Sequence, residues 1–412
     1  MELNPISNKV VLICVDCLRN DLIQTEEGKT PFLNSLRENS LNFQNLSATA
    51  TTTTPCVASI MTGNYSERNG INSLQQAKLD ERETTLGEIL RDNEYYTHAE
   101  VTGPLVRKTG LDRGFEEFNY RDPEEDLFRG FKENLLNKIS SIQEKDSFFL
   151  YVHLWELHKE IFVPEEFNSP KYGETKYERA LSALDSALKE IEDELDDETT
   201  LIITGDHGEA ISQRNSVLRR GIKKIRDKLR YEYGLNTRKF EIILNRFSEK
   251  AYRGLKDHYI EEGHGENTFE YTSNVPLLIR DQRLPSKDVN EQVRQIDIMP
   301  TIIGSNKYAT DGSKLTPIEE LQNRRAYIRA CGLSLKGEDN WAKSIKENGW
   351  KFIEYPSRSW SSELYNLKED PKELNNIKNP SKSQELREKI PKGDKEPQEI
   401  EIKDKLRELG YL

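Results

Sequence analysis

The sequence is poor in the features that mark disulfide-bonded, secreted or membrane-spanning proteins. It has only four cysteines in 412 residues, Cys14, Cys17, Cys56 and Cys331, far below the density of a disulfide-stapled scaffold. No apolar run approaches the roughly 18 residues that a membrane helix requires, and the first residues lack the basic and apolar regions of a signal peptide. We therefore expect a soluble protein of the cytoplasm, with peripheral contact to a membrane surface left open.

Charged residues are abundant, and their balance is acidic except in one segment. The chain has 60 Lys and Arg against 72 Asp and Glu, a net charge of -12. Residues 213–256 instead carry fourteen basic and four acidic side chains, a net charge of +10. Apolar residues recur there at three- and four-residue spacing, at Leu218, Ile222, Ile225 and Leu229. We predict a basic amphipathic helix, followed by a second helix around Glu241–Phe247.

Short apolar runs alternate with amphipathic segments along most of the chain. The runs are Val10–Val15, Phe148–Trp155, Thr200–Thr204 and Val275–Ile279, with a helix expected over Pro31–Glu38. This alternation predicts an α/β sandwich whose central strands are buried on both faces. We divide the chain into a main domain (1–321, with the insertion 213–256), a small C-terminal subdomain (322–378) and a charged tail (379–412).

Two of the apolar runs end in polar residues that could carry chemistry. Asp16 closes the first run, where it serves either as a helix cap or as a metal ligand, because a buried carboxylate needs a partner. Asp206 and His207 follow Thr200–Thr204 between two glycines. This pair suits a divalent transition metal, and the alternative is an N-cap beside a hydrogen-bonded turn residue.

A threonine-rich run is the third candidate site. It reads TATTTTPCVASIM from Thr49 to Met61 and predicts a turn followed by a buried helix. A hydroxyl at such a helix N-terminus, next to a divalent cation, can attack an ester. The alternative is an ordinary threonine N-cap.

Several other chemistry-bearing residues have simpler interpretations. Cys14 and Cys17 form one C-x-x-C, which we interpret as packing at a strand end because no second pair completes a zinc site. His153 lies within an apolar strand and is interpreted as a core histidine. His98 and His258 belong to no motif, and we interpret them as surface or structural residues.

The three sites, in this order and spacing, resemble the sulfatase-like branch of the alkaline phosphatase superfamily. The segments that carry the resemblance are VVLICVDCLRNDLI, TTPCVASIMTGNY, FFLYVHLWELHKEIFVP, IITGDHGEA, HGENTFEYTSNVPLLIR, IDIMPTII and WKFIEYPSRSWSSELYNLKEDPKELNNI. They span about residues 8–378. The resemblance implies an alkaline phosphatase-like α/β sandwich with a central, mostly parallel sheet and a smaller C-terminal α+β subdomain.

The resemblance also implies roles for individual residues. The metal ligands would be Asp16, Thr53, Asp206 and His207, with Thr53 also the nucleophile. His158 and His264 would contact the substrate or protonate the leaving group. The cofactor would be one or two divalent metal ions, with manganese or zinc favoured over calcium or magnesium, and Cys17, which replaces the second aspartate of many sulfatases, suits the softer metals.

Two departures from the sulfatase pattern bear on the reaction. Type I sulfatases need Cys or Ser at the nucleophile position and Arg four residues later, where this chain has Thr53 and Val57. Cys56 follows the motif's proline and does not replace the nucleophile. The resemblance thus points to a hydrolase or transferase of phosphate esters or diesters with a threonine nucleophile. A sulfuric ester hydrolase and a non-catalytic metal-containing protein that binds an anionic partner are the alternatives.

The expected partner is an anionic ester such as a phosphorylated or sulfated glycan or a lipid head group. The insertion 213–256 follows Asp206 and His207 closely, so we expect it beside the site. There it would act as a basic lid for an anionic substrate, as an ordinary solvated helical excursion, or as a contact to nucleic acid or a membrane surface.

Overall fold

The computed structural model describes residues 5–23, 29–75, 77–158, 160–211, 217–251, 257–331, 341–356, 360–391, 400 and 403–409. Its strands are β1 (Lys9–Val15), β2 (Leu41–Ser47), β3 (Tyr96–Val101), β4 (Glu117–Tyr120), β5 (Phe148–Leu154), β6 (Thr200–Gly205), β7 (Asn274–Arg280), β8 (Lys287–Arg294), β9 (Ala326–Ala330), β10 (Ala342–Glu347), β11 (Trp350–Glu354) and β12 (Glu363–Asn366). Its α-helices are α1 (Asn20–Ile23), α2 (Pro31–Glu38), α3 (Thr53–Thr62), α4 (Ser66–Asn69), α5 (Leu86–Arg91), α6 (Phe131–Ile142), α7 (Lys176–Asp193), α8 (Val217–Asp227), α9 (Arg238–Ala251), α10 (Glu270–Ser273), α11 (Ile298–Ile302), α12 (Pro380–Arg387) and α13 (Lys403–Glu408).

The large sheet has eight strands in the order β4-β3-β5-β1-β6-β7-β2-β8. All neighbours pair in parallel except β7, which is antiparallel to both β6 and β2. Val15 of β1 is in register with Leu154 of β5 and Gly205 of β6. The residues that follow these three strands therefore meet at one edge of the sheet, where open α/β sheets bind their ligands.

Helices cover both faces of this sheet, as the unbroken apolar strands predict. Along β1, Val10, Leu12 and Cys14 pack into a core that includes α3 and α5, while the alternate residues pack into a core that includes α2, α6 and α7. The predicted α/β sandwich with a mostly parallel central sheet is confirmed.

A second sheet is antiparallel and has the strand order β12-β11-β10-β9. Its edge strand β9 contacts the loop that precedes α3. Thr51 N donates to Arg329 O at 3.0 Å, and Arg329 N donates to Thr49 O at 3.0 Å. The small sheet thus braces the threonine-rich loop. Its strands fall within the predicted subdomain 322–378, and the domain boundaries themselves stay predictions.

The described part of the basic insertion consists of α8, a π-helical turn over Lys228–Glu232, and α9. The second predicted helix lies within α9. An isolated antiparallel bridge joins Ala210 to Gly263, with N to O distances of 3.0 and 3.1 Å. This bridge closes the base of the insertion.

Among the described residues, no helix combines the length and the apolar character needed to cross a bilayer.

Candidate active site

Two carboxylates and a histidine meet where β1, β5 and β6 end. Asp16 follows β1, and its backbone N–H donates to Leu154 O of β5 at 2.8 Å. Asp206 follows β6 and accepts hydrogen bonds on Oδ1 from Cys17 N at 3.1 Å and from His207 N at 2.7 Å. These backbone donors fix the carboxylate of Asp206, and its other oxygen remains directed to the cluster.

Thr53 is the first residue of α3, and its hydroxyl points into this cluster. Its Oγ1 donates to Asp16 Oδ2 at 2.9 Å and lies 3.4 Å from His207 Nε2. All three side chains are fully buried. The N-cap residue Thr52 makes no side-chain cap hydrogen bond. Because Thr53 begins α3, its hydroxyl lies at the positive end of the helix dipole.

The ring of His207 is held in a definite orientation by the backbone. Its Nδ1 lies 3.0 Å from Gly208 O, a contact that requires the proton on Nδ1 and leaves the Nε2 lone pair toward Thr53. The backbone of Gly208 is held in place by its own N–H, which donates to Thr272 O at 2.9 Å. A Cβ at this glycine would lie 2.2 Å from Tyr271 O, so the close approach requires glycine.

The cluster of Asp16, His153 and Asp206 has the character of a cation site. One donor atom of each lies within 4.8 Å of the others, and all three residues are buried. Nε2 of His153 is 3.9 Å from an oxygen of each carboxylate. Neither ring nitrogen of His153, nor Oδ2 of Asp206, makes a hydrogen bond to a described residue. Buried polar atoms without partners are costly, and this mixed oxygen and nitrogen set suits manganese or zinc.

Burial and mutual repulsion shape the electrostatics of the same residues. Burial, and next the negative charge of Asp206, raise the pKa of Asp16 well above its usual range. Burial opposes ionisation of Asp206 too, but the neighbouring His207 and His153 hold its pKa below the usual value. Burial lowers the pKa of His207 to about 4, so this imidazole is neutral and able to act as a ligand near neutral pH.

A second group of polar side chains adjoins the first. Oε2 of Glu209 lies 2.7 Å from His264 Nδ1 and 3.4 Å from Cys17 Sγ. The Cys17 thiol also lies 3.6 Å from His264 Nδ1 and donates to Asp16 Oδ1 at 2.8 Å. Because the rings of His207 and His264 are only 4.4 Å apart between centroids, the two groups form one continuous site.

His158 borders this site on its outer side. Its ring stacks on Trp155 at 3.9 Å and lies 5.2 Å from the ring of His264. Trp155 and His158 also line a cavity of about 610 Å³ whose far wall includes Lys405 of α13. The cavity thus reaches His158, and α13 in the predicted tail forms part of its wall.

All six predicted site residues come together in this arrangement. Cys17, which the resemblance places at the metal site, joins them, and the structure adds His153 and Glu209. The interpretation of His153 as a packed core residue misses its position between Asp16 and Asp206, which depends on the register of β5 against β1. The packing interpretation of the C-x-x-C fits Cys14, which lies in the apolar core, but Cys17 faces polar groups. Glu209 follows Asp206 and His207 by two residues and had no separate signal.

Cys56, three residues after Thr53 in α3, is directed away from the site. Cys56 is fully buried in the core below α3, and its thiol donates to Ala50 O at 3.2 Å. Burial, with the charge of Asp206, raises its pKa well above the usual range. This thiol therefore does not reach the carboxylates that surround Thr53.

The fold agrees with comparisons to known proteins. Similar solved structures include a phosphonate monoester hydrolase of Agrobacterium radiobacter, with 16% identity, TM-score 0.67 and coverage of 94% of each chain. Another is a Bacteroides thetaiotaomicron protein from a locus for glycosaminoglycan metabolism, with 17% identity, TM-score 0.66 and coverage of 94% of this chain and 98% of that one. A third was solved with its substrate D-glucosamine-2-N,6-O-disulfate, at 14% identity, TM-score 0.67 and coverage of 94% and 96%.

At these identities the structural matches show the fold alone, which is that of sulfatases and of a phosphonate monoester hydrolase in the alkaline phosphatase superfamily. No curated protein sequence matches the chain. The sulfatase family model matches residues 8–305, which is more than half of the sequence, and the chain therefore belongs to the sulfatase family.

Proposed function

We propose that this protein is a metal-dependent hydrolase or transferase of phosphate esters or diesters, with Thr53 as its nucleophile. The observation that carries the proposal is the Thr53 hydroxyl, which is buried at a helix N-terminus, 2.9 Å from Asp16 Oδ2 and 3.4 Å from His207 Nε2. A hydroxyl beside a basic acceptor in a buried polar site is the arrangement that nucleophilic catalysis needs.

The residues of the chain supply both proton movements of the reaction. Thr53 Oγ1 would pass its proton toward Asp16 Oδ2 as it attacks the phosphorus. The bond to the leaving alcohol would break, and His264 or His158 would protonate the departing oxygen. Water or an acceptor hydroxyl would then attack the phosphothreonine, and both proton movements would reverse. The histidine would take the proton of the attacking oxygen, and Asp16 would return a proton to Thr53 Oγ1 as the phosphoryl group leaves it.

Five residues are suited to hold the metal, namely Asp16, Thr53, His153, Asp206 and His207. A divalent ion bound by them would neutralise charge on the nucleophile and on the phosphoryl oxygens. In the protein itself, the backbone donors on Asp206 Oδ1 and the contact of His207 Nδ1 with Gly208 keep the remaining donor atoms aimed at the cluster. Such support of the ligands raises metal affinity.

The identity of residue 53 favours phosphate over sulfate as the transferred group. A sulfatase that uses formylglycine needs a cysteine or serine precursor, and neither occupies this position. Cys56 points to Ala50 O rather than to the carboxylates. The phosphonate monoester hydrolase among the similar structures is compatible with phosphorus chemistry on this fold. The cytoplasmic location expected from the sequence stays a prediction.

A sulfuric ester hydrolase is the second candidate. Its support is the family match and the similar structures, one of which holds a disulfated glucosamine as its substrate. In this case Thr53 would have to act without conversion to formylglycine.

Rates with matched aryl phosphodiester, phosphomonoester, phosphonate monoester and sulfate ester substrates test the proposal. The protein is reconstituted with manganese or zinc and compared with Thr53→Ala and Thr53→Ser. We expect turnover of a phosphorus ester, its loss in Thr53→Ala by at least about 1,000-fold, and partial retention in Thr53→Ser. Radiolabelled phosphate trapped on Thr53 would identify the intermediate.

Two results would contradict the proposal. Sulfate turnover that exceeds phosphorus ester turnover would assign the sulfatase alternative. Tight metal binding without turnover of any ester would favour the non-catalytic binding protein.

A further inference from the structure

The helices of the insertion are oriented with their charged side inward. Arg219 and Arg226 of α8 are buried, as are Arg230 in the π-helical turn and Arg238 of α9. Arg226 pairs with Glu261 at 3.2 Å. These arginines attach the insertion to the segment that leads to His264, so their charge is not available to a substrate at the surface.

Arg238 extends this attachment to the C-terminal subdomain. Its Nε lies 2.9 Å from Glu363 Oε1, and one terminal nitrogen lies 2.5 Å from Glu241 Oε2. The guanidinium of Arg230 lies 4.9 Å from the ring centroid of Trp360. The inner side of the insertion is therefore an ionic and aromatic interface, and the apolar side chains of the same helices are left on the outside.

The outer side of the insertion carries most of the exposed large hydrophobic residues among those the structure describes. Eight of the nine lie between residues 217 and 247, with 52 to 78% of their surface exposed, and the ninth is Phe162. The eight are Val217, Leu218, Ile225, Tyr233, Leu235, Phe240, Ile243 and Phe247. An apolar surface of this extent in water marks a contact to another body.

Exposed charge on the same surface is basic. Arg220, Lys224 and Lys228 are exposed along α8 and the following turn, and Lys239 is exposed at the start of α9. Glu232 is the one exposed acidic residue among the described side chains of 217–251. Apolar side chains flanked by lysine and arginine are the pattern of helices that lie in the head-group region of an anionic membrane.

We propose that residues 217–251 form a docking surface for an anionic lipid bilayer, with α8 and α9 lying in the interface and their apolar side chains inserted between head groups. Charge selects this occupant over a second copy of the chain, since a symmetric contact would bring the lysines of both copies together. The surface fits nucleic acid less well than lipid, because five of its eight exposed hydrophobic side chains are aliphatic and do not stack on bases.

The docking surface adjoins the candidate active site through its base. The bridge between Ala210 and Gly263 closes the insertion, and the residues just outside that bridge are Glu209 and His264. The base of the docking surface is thus next in the chain to two residues of the candidate site. The inference goes beyond the ester chemistry proposed above and does not depend on it.

Cosedimentation of the full chain with vesicles tests the proposal. One vesicle type is phosphatidylcholine alone, and the other is phosphatidylcholine with phosphatidylglycerol. The apolar variant is Leu218→Ser/Ile225→Ser/Phe247→Ser, and its matched control is Phe162→Ser, an exposed hydrophobic residue outside the insertion. The charge variant is Lys224→Gln/Lys228→Gln/Lys239→Gln, with Lys287→Gln/Lys307→Gln/Lys378→Gln, also exposed, as its control.

We expect the wild-type chain and both controls to bind the anionic vesicles and to bind neutral vesicles weakly. The apolar variant should lose at least about 100-fold in partition coefficient. The charge variant should lose about fivefold for each lysine, on anionic vesicles only and less at high salt. Circular dichroism and thermal denaturation should match the wild type, because all substituted side chains are exposed.

Four results would overturn the proposal. In the first, the wild-type protein binds neither vesicle type, and in the second the apolar variant binds as well as wild type. In the third, the protein binds an oligonucleotide duplex but no vesicles. In the fourth, wild type binds no vesicles and is a dimer, which the apolar variant converts to a monomer. The last would assign the surface to a second copy of the chain.

Discussion

The imidazole of His264 lies 2.7 Å from Oε2 of Glu209, across the bridge that closes the basic insertion. The pair links two segments that are 55 residues apart in the chain and directs the histidine toward the ring of His207. It also joins the base of the proposed membrane-docking surface to the residues proposed to carry catalysis.

This pair leads to the first prediction. Glu209→Gln should reduce kcat by about tenfold to 100-fold with a smaller change in KM, because Glu209 positions the proposed proton donor rather than contacting the reacting atoms. The matched control is Glu262→Gln, in the same segment as His264 and half exposed. The loss should be larger for esters with poorly leaving alcohols, which need the proton, than for activated aryl esters. A loss that is equal for both kinds of ester would exclude a positioning role.

The second prediction concerns the metal. His153→Ala should lower the bound manganese or zinc, measured by mass spectrometry of the dialysed protein, because it removes one donor and leaves Asp16 facing Asp206. His98→Ala is the control, since His98 is equally buried but pairs with Glu100 at 2.6 Å, outside the cluster. Added metal should raise the Tm of wild type, by the equivalent of about 2.7 kcal/mol at 100 times Kd. Equal metal content in the two variants would remove His153 from the ligand set.

The third prediction compares two glycines, one with backbone close to its Cα and one with open space around it. Gly208→Ala should destabilise the protein by about 1–3 kcal/mol, because its Cβ would lie 2.2 Å from Tyr271 O and would displace His207. Gly221→Ala, in α8 with no atom within 4 Å of the new Cβ, should instead stabilise the helix by about 0.5–1 kcal/mol. Chemical denaturation measures both changes. A neutral Gly208→Ala would mean that the turn at His207 tolerates a side chain.

The fourth prediction concerns pH and the helix α2. Asp185 of α7 accepts hydrogen bonds from Phe32 N and Leu33 N at the start of α2. Burial nevertheless raises its pKa to about 6, above the unfolded value of about 3.9. Between these values the folded state holds the proton more tightly, so stability falls as pH rises through this window.

Comparison with Asp185→Asn measures this contribution. Wild type should lose up to about 2 kcal/mol of unfolding free energy relative to Asp185→Asn between pH 4 and pH 7. Urea denaturation at the two pH values provides the measurement. A difference between the two proteins that does not change with pH would show that folding does not raise the pKa of Asp185.

Much of the fold follows from local patterns. The apolar runs predict β1, β5, β6 and β7 with ends that agree to within one or two residues, and Pro31–Glu38 is α2. The antiparallel direction of β7 was not predictable, because its apolar run differs in no local way from those of its parallel neighbours. The same holds for the contact of β9 with the threonine loop, which joins residues about 280 positions apart.

The insertion shows most directly what a sequence pattern does not predict. Its periodicity predicted amphipathic helices, and α8 and α9 are present. The residues on which α8 and α9 pack determine which face of these helices is buried. Glu241, Glu261 and Glu363 surround the arginines, and these ion pairs turn the apolar side chains to the outside. Helical periodicity gives two faces but does not tell which one is buried.

The sequence by itself determined the sulfatase-type α/β sandwich and the segments that carry Asp16, Thr53, Asp206 and His207. Strand burial and motif spacing can be predicted from residues that are neighbours in the chain. Only the tertiary structure decided that His153 stands between the two aspartates, that Cys17 and Glu209 join His264, and that the insertion turns its arginines inward. Each of these depends on strand register or on charge pairing between distant segments, and such contacts leave no local pattern in the chain.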